Sequence, residues 1–320
     1  MREVELAAAA VERLFSGLAT PAREIEAAVA PFRLQLVPLS GAVRASGDPA
    51  GLILARDILH YVGEALKTTG GLSDQMIRET AAAAIENALK HDLAFRLTGL
   101  PHAVRPMSLS QVAFMEALLH DRHELIFGVG PTGTGKTHLA VAAGVTLVAE
   151  ERFKSFIVTR PRVRLEGEVM TPALRAETAY DEQLTPIEDV LHELIGHDEL
   201  KRMIDHGLIQ ILPLGRLRGR SFNDAFVLID EAQNMTVRNM RMALTRLGRA
   251  SRMVVTGDPR QVDLPSEETS GLLHILRLIS GTDLALIHRF SNQQIIRNDL
   301  VARLEALYSQ GDSPEVRAAA

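Results

Sequence analysis

The run Gly130-Pro131-Thr132-Gly133-Thr134-Gly135-Lys136-Thr137 has the residue types needed to hold a chain of phosphates. Its glycines let successive backbone N–H groups turn inward around an anion, Lys136 is placed to reach the β and γ phosphates, and the Thr137 hydroxyl suits magnesium. An apolar strand at 124–129 leads into the run. An apolar helix at 137–150 leaves it and offers its positive N-terminus to the same anion. The predicted ligands are ATP and Mg2+.

Two further constellations belong with this loop. In Phe226-Val-Leu-Ile-Asp230-Glu231-Ala-Gln233 an apolar strand ends in two acids. Ligands of parallel sheets sit beyond the carboxyl ends of the strands, so Asp230 is predicted to hold the magnesium and Glu231 to orient and deprotonate an attacking water. An ordinary acidic helix start would also place Asp and Glu there, and the pairing with the loop decides against it. In Val254-Val-Thr256-Gly257-Asp258-Pro259-Arg-Gln261 another apolar strand ends at a turn. There Gln261 can sense a γ phosphate by hydrogen bonding, with Asp258 ordering the network.

These residues need a sheet to carry them. Apolar strands are predicted at 155–158, 209–212, 226–229 and 253–255, with helices between them at 110–120, 137–150 and 186–205. This alternation predicts an α/β fold, a doubly wound parallel sheet buried on both faces. The first 96 residues read as a separate small α+β unit. Its opening, MREVELAAAAVERL, has helical periodicity, and strands at 32–37 and 42–45 are separated by Leu39-Ser-Gly41. Helices are predicted from Pro49 to about Leu66 and from Asp74 to His91. Gly99, Pro101 and Pro106 mark a linker over 97–107. The ATPase domain then covers 108–310, and 311–320 form a tail.

The motifs GPTGTGKT, LIDEAQN and VVTGDPRQ, in this order, resemble motifs I, II and III of superfamily 1 helicases. Thr159-Arg160-Pro161, the run 217–234 and the run 240–265 resemble more closely the PhoH family of bacterial ATPases, over about residues 108–308. The resemblance implies a RecA-like P-loop NTPase core, assembly as a ring such as a hexamer, and a link to RNA metabolism. By similarity to the helicase Q motif, Gln111 reads the adenine edge. The N-terminal unit resembles the small KH-like domain that leads many such proteins, although it has no GxxG clamp. Two departures stand out. The family's Gly-Phe-Leu-Pro-Gly piece is absent from 162–180, although Glu168 matches. The family's closing Val-Arg-His is here Ile296-Arg297-Asn298, so Arg297 is a candidate transition-state arginine without its histidine neighbour.

A superfamily 1 helicase closes its site with a second RecA-like domain, and the fifty or so residues after 265 are too few for one. The missing arginine is therefore expected from Arg297 in the same chain, or from Arg218 or Arg220 across a subunit boundary of a homo-oligomer. Arg160, Arg162 and Arg164 alternate, as do Arg216, Arg218 and Arg220. Such spacing fits either the phosphate backbone of single-stranded RNA or solvated loop charge and ion pairs. His192-Glu193 with His197 misses the four-residue spacing of a helical zinc site and is rejected.

The bulk properties limit the alternatives. The net charge of −5 confines any nucleic-acid binding to local patches, and the 4% aromatic content offers few stacking platforms. Cysteine is absent, which excludes disulfides and thiolate metal sites. No apolar run reaches the ~20 residues of a membrane span and no secretory signal opens the chain, so a cytoplasmic protein is expected. The leading expectation is an RNA-associated ATPase, helicase-like or a remodeller of RNA or the ribosome. The alternatives are a kinase-like phosphotransferase and a nucleotide-gated adaptor for an RNA-processing nuclease or the ribosome. Glu231 and Gln261 favour water over a kinase acceptor, and the intact Lys136, Asp230 and Glu231 disfavour a non-enzymatic adaptor.

Overall fold

The computed structural model describes residues 2–5, 11, 14–15, 21–29, 34–47, 49–69, 74–91, 93–161, 181–264 and 270–291. The chain divides into two units, Met1–Arg96 with Ala103–Ala113, and Leu97–His102 with Phe114–Ala320.

The first unit carries a three-stranded antiparallel sheet in the order β1-β3-β2. β2 (Gln35–Leu39) and β3 (Ala42–Ser46) form a hairpin, with Leu39 opposite Ala42. Gly41, at φ 76°, takes the left-handed turn position between them that a side chain would disfavour. Helices Pro21–Ala28, Pro49–Thr69 and Asp74–His91 complete the unit. Its core gathers Leu14, Ile25, Leu36, Val43, Leu54 and Ile58. The helical reading of the first residues is corrected here: Arg2–Glu5 is a strand, β1, paired antiparallel with β3. Helical periodicity is a local preference, and pairing with the otherwise open edge of β3 satisfies the same backbone by long-range hydrogen bonds.

The second unit is built on six strands in the order β6-β5-β7-β8-β4-β9. These are β4 (Leu125–Val129), β5 (Ser155–Thr159), β6 (Ile209–Ile211), β7 (Ala225–Ile229), β8 (Arg252–Gly257) and β9 (Leu286–Arg289). Every neighbouring pair is parallel. β7 and β8 are buried along their whole length, which explains the apolar runs Ala225–Ile229 and Met253–Val255. One face of the sheet presents Phe127, Ile157, Val227, Ile229, Met253 and Val255 to Met240, Ala243, Leu272 and Leu276 of helices Val237–Leu244 and Gly271–Leu278.

The helix Lys136–Ala149 packs on strands β5, β7 and β8. Strand alternation assigns it the opposite face. It lies so close that a Cβ on Gly144 would stand 2.6 Å from the Phe156 ring. On its other side it meets the helix Asp181–Ile195. Enclosed in this way, it is apolar nearly all round. The fold is thus α/β and RecA-like, a parallel sheet flanked by helices, as the sequence predicts.

Two details differ from expectation. The single helix expected over 186–205 is two, Asp181–Ile195 and His197–Asp205, because Gly196 between them adopts φ 78°, ψ 167°, which ends a helix. The strand β9 was not anticipated. It is a half-exposed edge strand of four residues that ends in His288 and Arg289, so its own sequence has only two apolar positions.

The far edge of the sheet is tied by charge. Arg252 donates through Nη1 to Leu118 O at 2.5 Å and through Nη2 to Asp121 O, and Arg152 Nη2 donates to Leu119 O at 2.6 Å. The open carbonyls at the end of the helix Leu109–His120 are thereby capped by cations. Nearby, His123 Nδ1 lies 2.5 Å from Asp121 Oδ1 and Nε2 lies 3.2 Å from Asp283 Oδ1, joining the loop before β4 to the loop before β9. The hydrogen bond with Asp121, helped by Asp283, raises the imidazole above its ordinary value although burial opposes it. Asp283 is lowered, chiefly by His123. Burial pushes Asp121 up, but its bonds with His123 outweigh that and leave it low.

A raised histidine value stabilises fully below the unfolded value, about 6.5, and the contribution is lost as pH rises through the folded value. The lowered carboxyls keep it in place down to the acid range. His123→Gln is therefore expected to lower the midpoint of thermal unfolding more at about pH 6 than at about pH 9. Equal losses at both would contradict the clamp.

Candidate active site

The phosphate loop joins β4 to the helix Lys136–Ala149, beyond the carboxyl edge of the sheet. Gly130, Gly133 and Gly135 have φ of 147°, 82° and 82°, so three of its eight residues occupy backbone conformations that side chains rarely adopt. Gly130 is needed for space as well, since a Cβ there would meet Phe290 O at 2.6 Å. Gly135 precedes the helix and supplies no side-chain cap, which leaves the N–H groups of the first turn turned toward the loop. Lys136 is buried. Its Nζ donates to Gly130 O at 2.8 Å and Pro131 O at 2.6 Å, and lies 3.4 Å from Thr134 Oγ1. Burial pushes the ammonium below its ordinary value, while Asp258, Glu231 and Asp230 pull it back up. A desolvated lysine held by two carbonyls and a hydroxyl, with no anion in contact among the described residues, has most to gain from an anion entering the loop.

Asp230 follows β7 and is 2% exposed. Its Oδ1 accepts from the Thr137 hydroxyl at 2.8 Å and from the Thr256 hydroxyl at 2.7 Å. A threonine hydroxyl and a carboxylate oxygen side by side form the kind of all-oxygen donor pair that suits magnesium, so the residues present fit that ion. Glu231 is left-handed at φ 51°, ψ 39°, a strained state for a residue with a side chain. Its carboxyl is raised above the ordinary value first by burial and then by Asp230, and is partly restored by Gln233, Arg160 and Lys136. Gln233 Nε2 donates to Glu231 Oε2 at 2.5 Å, while Gln233 Oε1 accepts the Asp258 N–H at 3.1 Å. One buried amide thus links the acids after β7 to the turn after β8.

That turn also holds the phosphate loop. Asp258 Oδ2 accepts the Thr132 N–H at 3.2 Å, and Gln261 Oε1 accepts the Thr132 hydroxyl at 2.7 Å. Lys136, Thr137, Asp230, Glu231 and Gln261 therefore belong to one connected site, with Pro131, Thr132 and Thr134 in its wall. Gln111 is placed differently. It belongs to the first unit, accepts Met107 N–H on Oε1 at 2.7 Å and donates its own N–H to Ser108 Oγ at 3.2 Å. These bonds serve the start of its own helix. Arg297 lies outside the described residues, as do Arg162, Arg164 and Glu168. Arg216, Arg218 and Arg220 are exposed.

Three members of the site were not singled out for it. Thr256 and Gln233 lie inside the recognised motifs, and the signal for Thr256 was a hydroxyl closing the apolar run Met253–Val255. Arg160 follows β5, the neighbour of β7, and its guanidinium approaches Glu231 Oε1 at 3.6 Å and Asp230 Oδ2 at 3.9 Å.

A parallel sheet of this order, with a phosphate loop after one strand and an acid pair two strands away, defines the class of RecA-like P-loop folds. Residues 103–309 match the model of the PhoH-like protein family. The chain is 32% identical over 282 residues to the PhoH-like protein of Mycobacterium tuberculosis, covering 85% of this chain and 78% of that one. It is 36% identical over 208 residues to the PhoH-like protein of Bacillus subtilis, 65% of each chain. It is 32% identical over 203 residues to protein PhoH of Escherichia coli, 62% of this chain and 56% of that one. The chain belongs to the PhoH family. Among the described residues, no helix is long and apolar enough to cross a membrane.

The left-handed backbone of Glu231 makes a specific demand on stability. A residue with a side chain is disfavoured there by ~1 kcal/mol or more, and glycine is not. Glu231→Gly, which also removes a half-buried acid beside Asp230, is expected to raise the midpoint of chemical denaturation. A lowered midpoint would show that the contacts of Glu231 with Gln233 and Arg160 outweigh its strain.

Proposed function

We propose that this chain binds ATP with magnesium in the loop Gly130–Thr137 and hydrolyses it. The observation that carries the reading is the hydrogen bond of Thr137 Oγ1 to Asp230 Oδ1 at 2.8 Å, with the raised carboxyl of Glu231 next in the chain. It unites an oxygen pair suited to magnesium with a base stronger than an ordinary carboxylate. Magnesium would be held by Thr137 and Asp230, and supplies charge neutralisation on the β and γ phosphate oxygens.

The chain's own residues do the rest. Lys136 exchanges the carbonyls of Gly130 and Pro131 for phosphate oxygens. The first-turn N–H groups and the positive helix end hold the anion. Glu231 takes a proton from a water as the water oxygen bonds to the γ phosphorus. The bond from that phosphorus to the bridging oxygen breaks, and ADP leaves with its electron pair. Gln233 fixes the Glu231 carboxyl through Oε2, and Oε1, 3.6 Å from the Arg160 guanidinium, is the oxygen that would take the proton. Gln261, bonded to Thr132 in the resting loop, has its amide N–H groups to offer a γ phosphate. A half-buried base with a raised carboxyl favours hydrolysis over transfer to a second substrate.

The family resemblance and the exposed Arg216, Arg218 and Arg220 support a further part of the proposal. The ATPase acts with RNA, in helicase-like work or in remodelling RNA or the ribosome, in the cytoplasm and as a homo-oligomeric ring. An arginine track of this kind would bind the phosphate backbone without sequence preference and weaken steeply with salt.

Two variants test the core of the reading in the full-length chain. Glu231→Gln is expected to keep ATP affinity and lose phosphate release by ~100-fold or more. Lys136→Ala is expected to lose nucleotide affinity itself. Phosphate release by Glu231→Gln at the parent rate would overturn the assignment of the base.

A further inference from the structure

Arg160 is the side chain in the site that the scheme above leaves without a task. Thr159 of β5 is paired in register with Ile229 of β7, and Asp230 N–H donates to Thr159 O at 2.9 Å. The sheet therefore fixes Arg160 directly beside Asp230 and Glu231. Its side chain is 22% exposed. The two carboxylates stand 3.6 and 3.9 Å from it, beyond hydrogen-bond length, and among the described residues it makes no hydrogen bond. A guanidinium has five N–H donors in a fixed fork that matches a carboxylate or a phosphate. Here the fork is attracted to two acids and engaged by neither.

The same atoms bound the place where a γ phosphate would arrive. Asp230 shares its other oxygen with Thr137 of the phosphate loop, and Glu231 is the proposed base. A cation in contact range of both lies at the edge of the reacting group. Arg260, the other arginine nearby, is held by Asp258 at 3.6 Å and its side chain is 57% exposed. Arg218 and Arg220 are exposed, and Arg220 is occupied with Gln210 and the Phe222 ring.

We infer that Arg160 is the catalytic arginine of this site, supplied by the same chain, its guanidinium turning from the two acids to the oxygens of the transferring γ phosphoryl group. The inference rests on the proposed ATP hydrolysis. In the step, the water oxygen bonds to the γ phosphorus and its proton passes to Glu231. The bond to the bridging oxygen breaks and ADP carries away the electron pair. Arg160 donates hydrogen bonds to non-bridging oxygens throughout and transfers no proton. Its fork is a better match to the planar, spread charge of the transition state than to the ground-state phosphate, so it acts on turnover more than on binding. The site then needs no arginine from a neighbouring subunit, in contrast to the sequence-based expectation of Arg297, Arg218 or Arg220.

The test uses the full-length chain and its Arg160→Ala and Arg160→Lys variants, with two readouts: phosphate release from ATP, and affinity for ADP with magnesium, with and without aluminium fluoride as mimic of the transferring group. Arg160→Ala is expected to bind ADP like the parent, to lose ~100-fold or more in kcat with KM little changed, and to lose the gain in ADP affinity that aluminium fluoride brings. Arg160→Lys keeps the charge without the fork and should recover part of both.

Unchanged turnover in Arg160→Ala would overturn the inference and leave the hydrolytic reading standing. So would slow turnover with the aluminium fluoride gain intact, which would make Arg160 a mere counter-ion to the acids. A parent chain that binds ADP and releases no phosphate would overturn the hydrolytic reading and the inference together. Mixing Arg160→Ala with Glu231→Gln chains closes the question of origin. No recovery is expected, and recovered turnover would mean that Arg160 acts across subunits.

Discussion

Asp230 is a carboxylate withdrawn from water, and its position depends on the two hydroxyls that hold it. A buried charge without partners is costly enough to displace the chain around it. Thr137 comes from the helix after the phosphate loop and Thr256 from the end of β8, so one oxygen of Asp230 ties together three segments that are far apart in sequence. The arrangement is also incomplete as a resting state. Hydroxyls neutralise an acid only partly, and the same oxygens suit a small divalent cation. The feature that stabilises the resting site is therefore the one that a ligand would replace.

Strand order sets the dimensions around this point. β8 lies between β4, which carries the loop, and β7, which carries the acids. With strands about 4.8 Å apart, the loop and the acids begin roughly 10 Å from one another, wide enough for a phosphate chain and a water between them. The turn after β8 fills the gap with polar contacts. Asp258 and Gln261 hold Thr132, and Gln233 reaches from the acids to the Asp258 N–H. Gly257 belongs to the same economy of space, since a Cβ there would meet Gln233 Oε1 at 2.6 Å. A ligand that disturbs Thr132 would be felt through this chain of hydrogen bonds at Glu231.

What the sequence revealed and what it hid follow from the range of the forces involved. The phosphate loop was legible because each of its demands is local: left-handed glycines, a lysine opening a helix, a strand before and a helix after. The buried strands β7 and β8 were legible for a similar reason, their burial being written in continuous apolar runs. Arg160 was read as one of several alternating basic residues, because its meaning depends on β5 lying next to β7, some seventy residues later in the chain. The strand at Arg2–Glu5 and the edge strand β9 were missed because pairing partners, and not local periodicity, decide them. Gly196 was passed over inside the single helix expected at 186–205, since a lone glycine is tolerated in a helical pattern. Its φ of 78°, invisible in the sequence, is what divides the segment into two helices.

The central claim is that Thr137 and Asp230 give up their mutual hydrogen bond to hold magnesium with a bound triphosphate. The most direct measurement is the calorimetric affinity of the full-length chain for ATP, with and without magnesium, set beside the same pair of titrations for Asp230→Asn. The account predicts that magnesium tightens binding in the parent chain and that this gain disappears in the variant. Equal ATP affinity in the parent with and without magnesium, or an undiminished magnesium effect in Asp230→Asn, would contradict it.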